Sequence, residues 1–227
     1  MTVASTVLAA PSDLTPPAVV MAALRDDAPR PTAGQTPLAV ASALMVSLLG
    51  SALFGVALGG FGGSAAQMLA SALKAPMLLL GTTALCFPAF YVMQLTRAPR
   101  PLALGEALHT KAHALAATAL WWGALALPLS FLASTVQHYR LAQGLALLVG
   151  AAGGIVGLRR FWVQLVARVG PAPRGTMLAY FVLYGAVGAQ LSWFLRPFLG
   201  APDQPFELLR GLRGNFFGFV LGPLLGG

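Results

Sequence analysis

The chain has 227 residues, of which 57% are hydrophobic and 9% are charged, and its formal net charge is +8. Since an ordinary soluble domain carries about 25% charged residues, this composition excludes a soluble globular protein. The basic residues are scattered at the ends of hydrophobic segments, which favours contact with anionic lipid headgroups over nucleic acid. We therefore expect an all-α fold, a polytopic transmembrane helical bundle.

Residues 1–36 are rich in proline and small side chains, a composition that opposes a long helix. We predict a disordered cytoplasmic segment, which is retained because residues 1–10 lack the basic and apolar regions of a secretory signal. Residues 18–25 have room for two helical turns. The segment is interpreted as an unstructured tail, and the alternative is that the apolar patch of Val19, Val20 and Leu24 forms a docking peptide.

Five windows are long and apolar enough to cross a hydrocarbon core that is roughly 30 Å thick. They are residues 37–60, 75–95, 112–135, 141–158 and 176–195. Between the first two windows, residues 64–74 predict a separate short helix on the membrane surface, capped by Ser64. The expected organisation is a transmembrane domain over residues 37–199 and an extracytoplasmic interfacial tail over residues 200–227.

The distribution of lysine and arginine predicts the orientation. Nine basic residues precede the first window or lie in the loops after the second and fourth windows, against five on the opposite side. The positive-inside rule then places the amino terminus in the cytoplasm and the carboxyl terminus in the periplasm, across a bacterial inner membrane.

Small residues recur on one side of the fourth window. Ala146, Gly150 and Gly154 follow at four-residue spacing, and Gly153 and Gly157 are offset by one turn. Such flat faces allow helices to approach closely in lipid. We predict helix packing here, within the monomer or between two copies.

Prolines lie near the middles of the second and third windows, at Pro88 and Pro128. Each removes a helical hydrogen bond, so we predict two kinks, with nearby Thr82, Thr83 and Ser130 compensating the freed backbone groups. The alternative is a transport path framed by the kinks. Its lining would be Thr82, Thr83, Gln94, Thr118, Ser130 and Gln190.

No reactive group is predicted inside the hydrocarbon region. All six acidic residues fall outside the windows, and His113 sits beside Lys111 at the cytoplasmic end, where we interpret it as solvated. Cys86 is read as a small buried apolar side chain. The sequence therefore predicts no catalytic residue, cofactor or metal site, and a protein that is not an enzyme.

Two groups of residues are predicted at the membrane interfaces. On the cytoplasmic side, Arg160, Gln164 and Arg168 share a helix face and, with Arg159 and Arg174, are expected to attract anionic lipid headgroups or to act as a topology anchor. On the other side, Trp193 and Phe194 suit an aromatic belt, and Arg196 is placed to pair with Asp203 or Glu207. The expected partner-binding tail comprises Arg196, Asp203, Glu207, Phe216, Phe217 and Phe219.

The segment Leu-Arg-Pro-Phe-Leu-Gly-Ala-Pro-Asp-Gln-Pro-Phe-Glu, residues 195–207, and the segment Cys-Phe-Pro-Ala-Phe-Tyr, residues 86–91, carry a resemblance. Over about residues 37–220 the chain resembles a family of bacterial Yip1-like polytopic membrane proteins, some of which carry the label of actin-binding WH2-domain-containing protein. The resemblance implies a five-helix layout and no established activity. Residues 22–31 lack the basic helix and linker that actin binding would require.

These observations favour a non-enzymatic integral membrane subunit that anchors, assembles or stabilises a larger bacterial inner-membrane complex. The expected partners are anionic lipid headgroups on the cytoplasmic side and other integral membrane proteins, in a homo- or hetero-oligomer, without nucleic acid. The alternative is a transporter or channel component with a polar path between the kinked helices.

Overall fold

The computed structural model describes residues 15–25, 31–61, 64–136, 138–170, 174–199, 206–209, 214 and 216–221. Seven helices form within these residues: α1 (Pro16–Arg25), α2 (Thr36–Gly59), α3 (Ala65–Arg97), α4 (Leu104–Val136), α5 (Tyr139–Val169), α6 (Arg174–Phe194) and α7 (Phe216–Leu221). Five of them, α2 to α6, are long and apolar enough to span a membrane. The predicted all-α fold is confirmed, and the protein is a multi-pass membrane protein.

The spanning helices are longer than the windows read from the sequence. The separate surface helix predicted for residues 64–74 is wrong, because these residues form the first turns of the 33-residue helix α3. Ser64 does cap this helix, since its hydroxyl accepts a hydrogen bond from the backbone N–H of Gln67 at 3.3 Å. Residues 104–111, expected in a loop, form the start of α4.

Consecutive spanning helices run antiparallel, as their contacts show. Gly59 lies against Gln67 across the α2–α3 connection, and Gly157 of α5 lies against Thr118 of α4. We call the end where α2, α4 and α6 begin the basic end, because Arg97, Arg100, Arg159, Arg160, Arg168 and Arg174 lie there. The opposite end, from which the chain leaves α6, is called the tail end.

Helix α2 lies between α3 and α4 at very close range. A Cβ atom added to Gly50 would lie 2.5 Å from the carbonyl oxygen of Ala119 on α4, and one added to Gly55 would overlap the backbone of Ser71 on α3. No side chain fits at either position, so glycine is what allows the helix backbones to touch. The glycines predicted for packing all lie on α5, so the sequence did not identify Gly50 and Gly55 of α2.

Helix α5 packs on α4 through part of the predicted small-residue face. A Cβ on Gly153 would overlap the Trp122 side chain, and one on Gly157 would overlap that of Thr118. The indole of Trp122 donates a hydrogen bond of 3.2 Å to the carbonyl oxygen of Gly150. Ala146 is buried in the same core cluster. A Cβ on Gly150 or Gly154 would meet nothing within 4 Å, so no other helix of the bundle packs against these two positions.

Helix α6 packs on α3 near the middle of both helices. Gly188 faces Thr82, Leu191 faces Gly81, and the hydroxyl groups of Thr83 and Tyr184 are hydrogen-bonded at 2.9 Å. These contacts position α6, which carries two tyrosines of the site described below, Tyr180 and Tyr184.

Within the amino-terminal segment, residues 16–25 form α1, which includes the two helical turns for which residues 18–25 have room. Val19 is 1% exposed and packs against Ala43 of α2 and Ala112 of α4. Leu24 is 67% exposed, so only part of the predicted apolar patch docks. The docking surface is the bundle itself, because α1 fits the groove between α2 and α4. Residues 1–14 and 26–30 lie outside the described residues.

Candidate functional site

The chain contains two lysines, Lys74 and Lys111, and the side chain of each is 3% exposed. Their positions outside the spanning windows predict exposed interfacial charges, and their burial shows that this prediction is wrong. Helices α3 and α4 each have 33 residues, well over the roughly 20 that cross a bilayer, so they carry residues near their starts into the bundle. Several arginines, by contrast, are exposed: Arg97, Arg100, Arg140 and Arg159.

At the tail end, Lys74 belongs to a row of three donors on α3. The Lys74 ammonium donates to the carbonyl oxygen of Pro197 at 2.8 Å, and the side-chain amide of Gln67 donates to the same oxygen at 3.0 Å. The hydroxyl of Ser71 donates to the carbonyl oxygen of Phe198 at 2.6 Å and accepts from Gln67 at 3.1 Å.

The helix repeat explains why these three side chains act together. Residues 67, 71 and 74 are separated by four and three positions, so they share one face of α3. Residues 195–199, which we call the plug segment, follow the end of α6. The N–H of Leu195 still donates to the carbonyl oxygen of Leu191 at 3.0 Å, and the carbonyl groups of Pro197 and Phe198 accept from the side chains of α3. Leu199 is buried in the core cluster beside Phe54, Leu58 and Leu79. The donors of α3 therefore fix the plug segment in the tail end of the bundle.

Of the tail residues predicted from the sequence, Arg196 belongs to the plug segment. The Arg196 guanidinium stacks on the Trp193 ring, 3.4 Å from its centroid. Glu207 is exposed, Asp203 lies outside the described residues, and the side chain of Phe219 is likewise not described.

Part of the tail folds back on α6. The Trp193 indole donates to the carbonyl oxygen of Gly214 at 3.2 Å, and the backbone N–H of Phe216 donates to the side chain of Gln190 at 3.4 Å. Phe217 is 44% exposed and contacts the ring of Phe216 edge-on. These contacts place α7 beside the carboxyl-terminal half of α6.

At the basic end, Lys111 is enclosed by aromatic rings. Its ammonium nitrogen lies 4.1 Å from the centroid of Tyr184, 4.4 Å from that of Phe161 and 5.2 Å from that of Tyr180. Ring faces attract a cation, and this attraction is worth about 2 kcal/mol or more where water is excluded. Within the part of the chain that the structure describes, no carboxylate pairs with this ammonium. We call Lys111, Phe161, Tyr180 and Tyr184 the lysine cage.

The side chains around the cage are also buried. Cys86 is 1% exposed in the same cluster as Phe90 and Phe161, as the sequence predicted for this thiol. His113 is 2% exposed, so its predicted solvated position is wrong. His109 is fully buried, with its ring centroid 4.9 Å from that of His113, and neither ring nitrogen of His109 has a hydrogen-bond partner among the residues that the structure describes. Burial of unpaired polar atoms destabilises a fold, so the buried His109 ring is a cost to stability that apolar packing does not explain.

The arginines predicted to meet lipid headgroups all lie at the basic end. Arg159 is exposed, and Arg160 and Arg168 are half-buried. Gln164 is 8% exposed and faces the interior with Phe161 and Leu165, so it does not share a lipid-facing surface with the arginines. Arg174 is the first residue of α6, and its side chain is not described.

The polar residues of the alternative transport path are not brought together. Gln94 is bonded to both backbone groups of Leu102, at 2.7 and 3.0 Å, and so ties the α3–α4 connection to α3. Thr82 donates to Leu78 and faces α6, whereas Thr118 donates to Ala114 and faces α5. Ser130 and Gln190 are half-buried on α4 and α6. Local helical bonds and separate helix contacts account for these side chains.

Among the described residues, no three histidine, cysteine or acidic side chains come close enough to hold a metal ion. The two lysine sites were missed by sequence reasoning, although one signal was present. Gln67, Ser71 and Lys74 form a polar stripe at helical spacing in an apolar segment, which indicates a buried polar contact. The lysine cage had no comparable signal, because its rings come from helices far apart in the chain.

No family model matches the chain, and no similar protein was found among curated proteins or solved structures. The resemblance to Yip1-like membrane proteins therefore stays a prediction.

Proposed function

We propose that the protein is a non-enzymatic integral membrane subunit that anchors, assembles or stabilises a larger complex of the bacterial inner membrane. The observation that carries this proposal is the unequal burial of the spanning helices. The most apolar windows of α2 and α4 are 44% buried within the chain, whereas those of α5 and α6 are 17% buried. Two of the five spanning helices thus offer most of their surface to their surroundings.

The free face of α5 has the character of a helix-association surface. Added Cβ atoms on Gly150 and Gly154, which are one turn apart beside the contact with α4, would meet nothing within 4 Å. Gly144, Leu148 and Ile155 lie on the side of the helix away from α4, where Leu148 and Ile155 are 68% and 66% exposed. Small residues let a second helix approach closely, and contact between such faces drives association in lipid. A partner helix is the occupant that this proposal assigns, from another membrane protein or from a second copy.

The proposed orientation places the basic end in the cytoplasm. Six arginines lie at that end, and the positive-inside rule favours basic residues on the cytoplasmic side. The amino terminus would then be cytoplasmic, and the tail with α7 would be periplasmic. Arg159, Arg160, Arg168 and Arg174 would contact anionic headgroups of the inner leaflet.

Purification from native membranes in a mild detergent tests the proposal. We expect the protein to migrate as a complex on a native gel and to retain partner proteins at constant ratio. Gly154→Leu should release the partners without unfolding the chain, because this position faces open space. The matched control is Leu127→Trp, at a side chain of α4 that is 77% exposed, and this variant should retain the partner proteins. A monomer without partners in the unmodified protein would contradict the proposal.

The buried lysines favour a second candidate, a transporter or channel component. Ionisable groups inside a membrane protein are costly and commonly mark the path of an ion or substrate. Lys74 and Lys111 lie near opposite ends of the bundle, so a permeating anion would meet one after the other. Anion flux into vesicles containing the purified protein, abolished by Lys111→Met, would support this candidate; equal flux with and without protein would exclude it.

A further inference from the structure

Helix α6 ends well inside the bundle. Its Leu191 lies against Gly81 of the antiparallel helix α3, and α6 ends three residues later, at Phe194. From Gly81, α3 continues for another 16 residues to its start at Ala65. At a rise of about 1.5 Å per residue, α6 therefore ends about 20 Å short of the start of α3. The plug segment continues the chain through this part of the bundle without forming a helix.

This part of the bundle lies at the depth of the hydrocarbon. Leu69, Leu73 and Met77 of α3 are each more than half exposed and follow at four-residue spacing, so they form an apolar stripe that faces lipid. The three donors of α3 that hold the plug segment lie on the opposite face of the same turns. Backbone that is not helical occurs at this depth only where it is buried in protein or lines a cavity, and in transporters such broken helices form binding sites.

The charge of Lys74 is not neutralised by any carboxylate among the described residues. Its ammonium group has three N–H bonds to donate, and within that part of the chain its one acceptor is the carbonyl oxygen of Pro197. A carbonyl oxygen carries only a partial charge, whereas a carboxylate would also neutralise the ammonium. Because a charge inside a membrane protein is costly unless it is paired, a negative charge at this position would be strongly favoured.

The plug segment itself fills the space that a ligand would need. Only Leu195 of this segment forms a backbone hydrogen bond within the described part of the chain, to Leu191. Beyond it, the segment is held by the three side-chain donors and by the packing of its buried side chains, Pro197 and Leu199. Its withdrawal would break no helix and would open its volume beside all three donors. A segment held in this way opens at a lower free energy than a packed helix does.

We propose that Gln67, Ser71 and Lys74 bind the carboxylate of a small anion with an apolar body, and that the plug segment occupies this site when the anion is absent. The carbonyl groups of the plug segment stand in for the carboxylate, and its apolar side chains stand in for the apolar body. Anion and plug segment therefore exclude each other. This inference deepens the second candidate function, because it names a substrate class and a gate for the anion path.

Calorimetric titration of the purified full chain in detergent tests the proposal, with benzoate as the probe and benzamide as a neutral compound of nearly the same shape. At constant ionic strength we expect benzoate to bind at least about tenfold more tightly than benzamide, the effect of one charge-assisted hydrogen bond. Lys74→Met should lower the benzoate affinity by a similar factor. Arg140→Gln, which removes an exposed charge at the same end of the bundle, is the matched control and should leave the affinity unchanged.

Leu199→Ala separates a binding role of Lys74 from a purely structural one. This substitution loosens the plug segment and leaves the three donors in place, so a larger fraction of chains has a free site. We expect the benzoate affinity to rise about fivefold or more, because the apparent affinity is proportional to that fraction. Lys74→Met also loosens the plug segment. If Lys74 were only structural, its substitution would therefore raise the affinity as well.

Several outcomes would overturn the proposal. They are the absence of benzoate binding even in the Leu199→Ala variant, equal affinities for benzoate and benzamide, and a Lys74→Met affinity equal to or above that of the unmodified protein. If inorganic phosphate displaced benzoate at an equal concentration, the site would bind a free inorganic anion and not a carboxylate. Binding is measured without flux, so a failure of anion flux would count against the second candidate function and leave this result unaffected.

Discussion

The ammonium of Lys74 donates a hydrogen bond of 2.8 Å to the carbonyl oxygen of Pro197, 123 residues further along the chain. This contact joins the start of the second spanning helix to the segment that follows the last one. The start of α3 and the end of α6 are thereby fixed to each other at the tail end. The lysine serves as an internal donor, whereas the sequence suggests an interfacial charge.

Ser71→Ala should loosen the plug segment. The Ser71 hydroxyl donates to Phe198 and accepts from Gln67, so its loss leaves a carbonyl group of the plug segment without this donor. We expect a loss of about 1–3 kcal/mol in the free energy of unfolding, the usual cost of a buried polar group left unpaired. Thermal unfolding in detergent micelles measures this change.

The matched control for this substitution is Ser192→Ala, which removes a half-buried hydroxyl bonded within its own helix turn, to Ala189 at 2.7 Å. It should cost less than Ser71→Ala, because no carbonyl group of the plug segment loses a donor. An equal effect of the two substitutions would show that the contact with the plug segment contributes nothing.

Lys111→Met should leave the protein as stable as before, or more stable by about 1–4 kcal/mol, because replacing a buried charged group by an apolar one of similar size removes its desolvation cost. Three ring contacts offset this cost only in part. Denaturant titration of the folded protein measures the difference. A loss of more than about 2 kcal/mol would show that the aromatic contacts exceed the cost of burial.

A double-substitution cycle isolates the attraction between lysine and ring. Phe161→Leu should destabilise the protein more when Lys111 is present than in the Lys111→Met variant, by about 1–2 kcal/mol. Identical effects of Phe161→Leu in both backgrounds would show that the ring acts through packing alone.

Gly55→Ala should destabilise the bundle, because the added methyl group overlaps the backbone of Ser71 and the helices must separate. We expect a cost of about 1–3 kcal/mol, as for other overpacked positions. Gly154→Ala is the control, since its Cβ meets nothing within 4 Å and alanine is the better helix former. The two thermal midpoints should move in opposite directions, and a downward shift in both would contradict the assigned packing.

Val19→Asp should release α1 from the groove between α2 and α4. Val19 is 1% exposed there, and a carboxylate cannot be buried among Ala43, Val46 and Ala112 without a partner. Limited proteolysis in detergent should then cut near α1 faster than in the unmodified protein. Met21→Asp, at a 47% exposed position of the same helix, should leave the rate nearly unchanged.

Membrane location and the five crossings follow from the sequence because both depend on local composition. A long uncharged stretch is stable only where water is absent, and this holds whatever the stretch packs against. The ends of the helices follow from the sequence less accurately, because polar residues that face another segment of the bundle continue a helix beyond its apolar window. Gln67 and Ser71 looked like surface positions, and the structure turns them toward the plug segment.

The tertiary structure alone decided which residues form the sites. Lys111 meets Phe161, Tyr180 and Tyr184 because α5 and α6 converge on α4 at the basic end, and no spacing along the chain encodes that convergence. The same holds for the close contact of Gly55 with Ser71 and the open position of Gly154. A sequence determines which segments avoid water, whereas the contacts between segments depend on packing across the whole bundle.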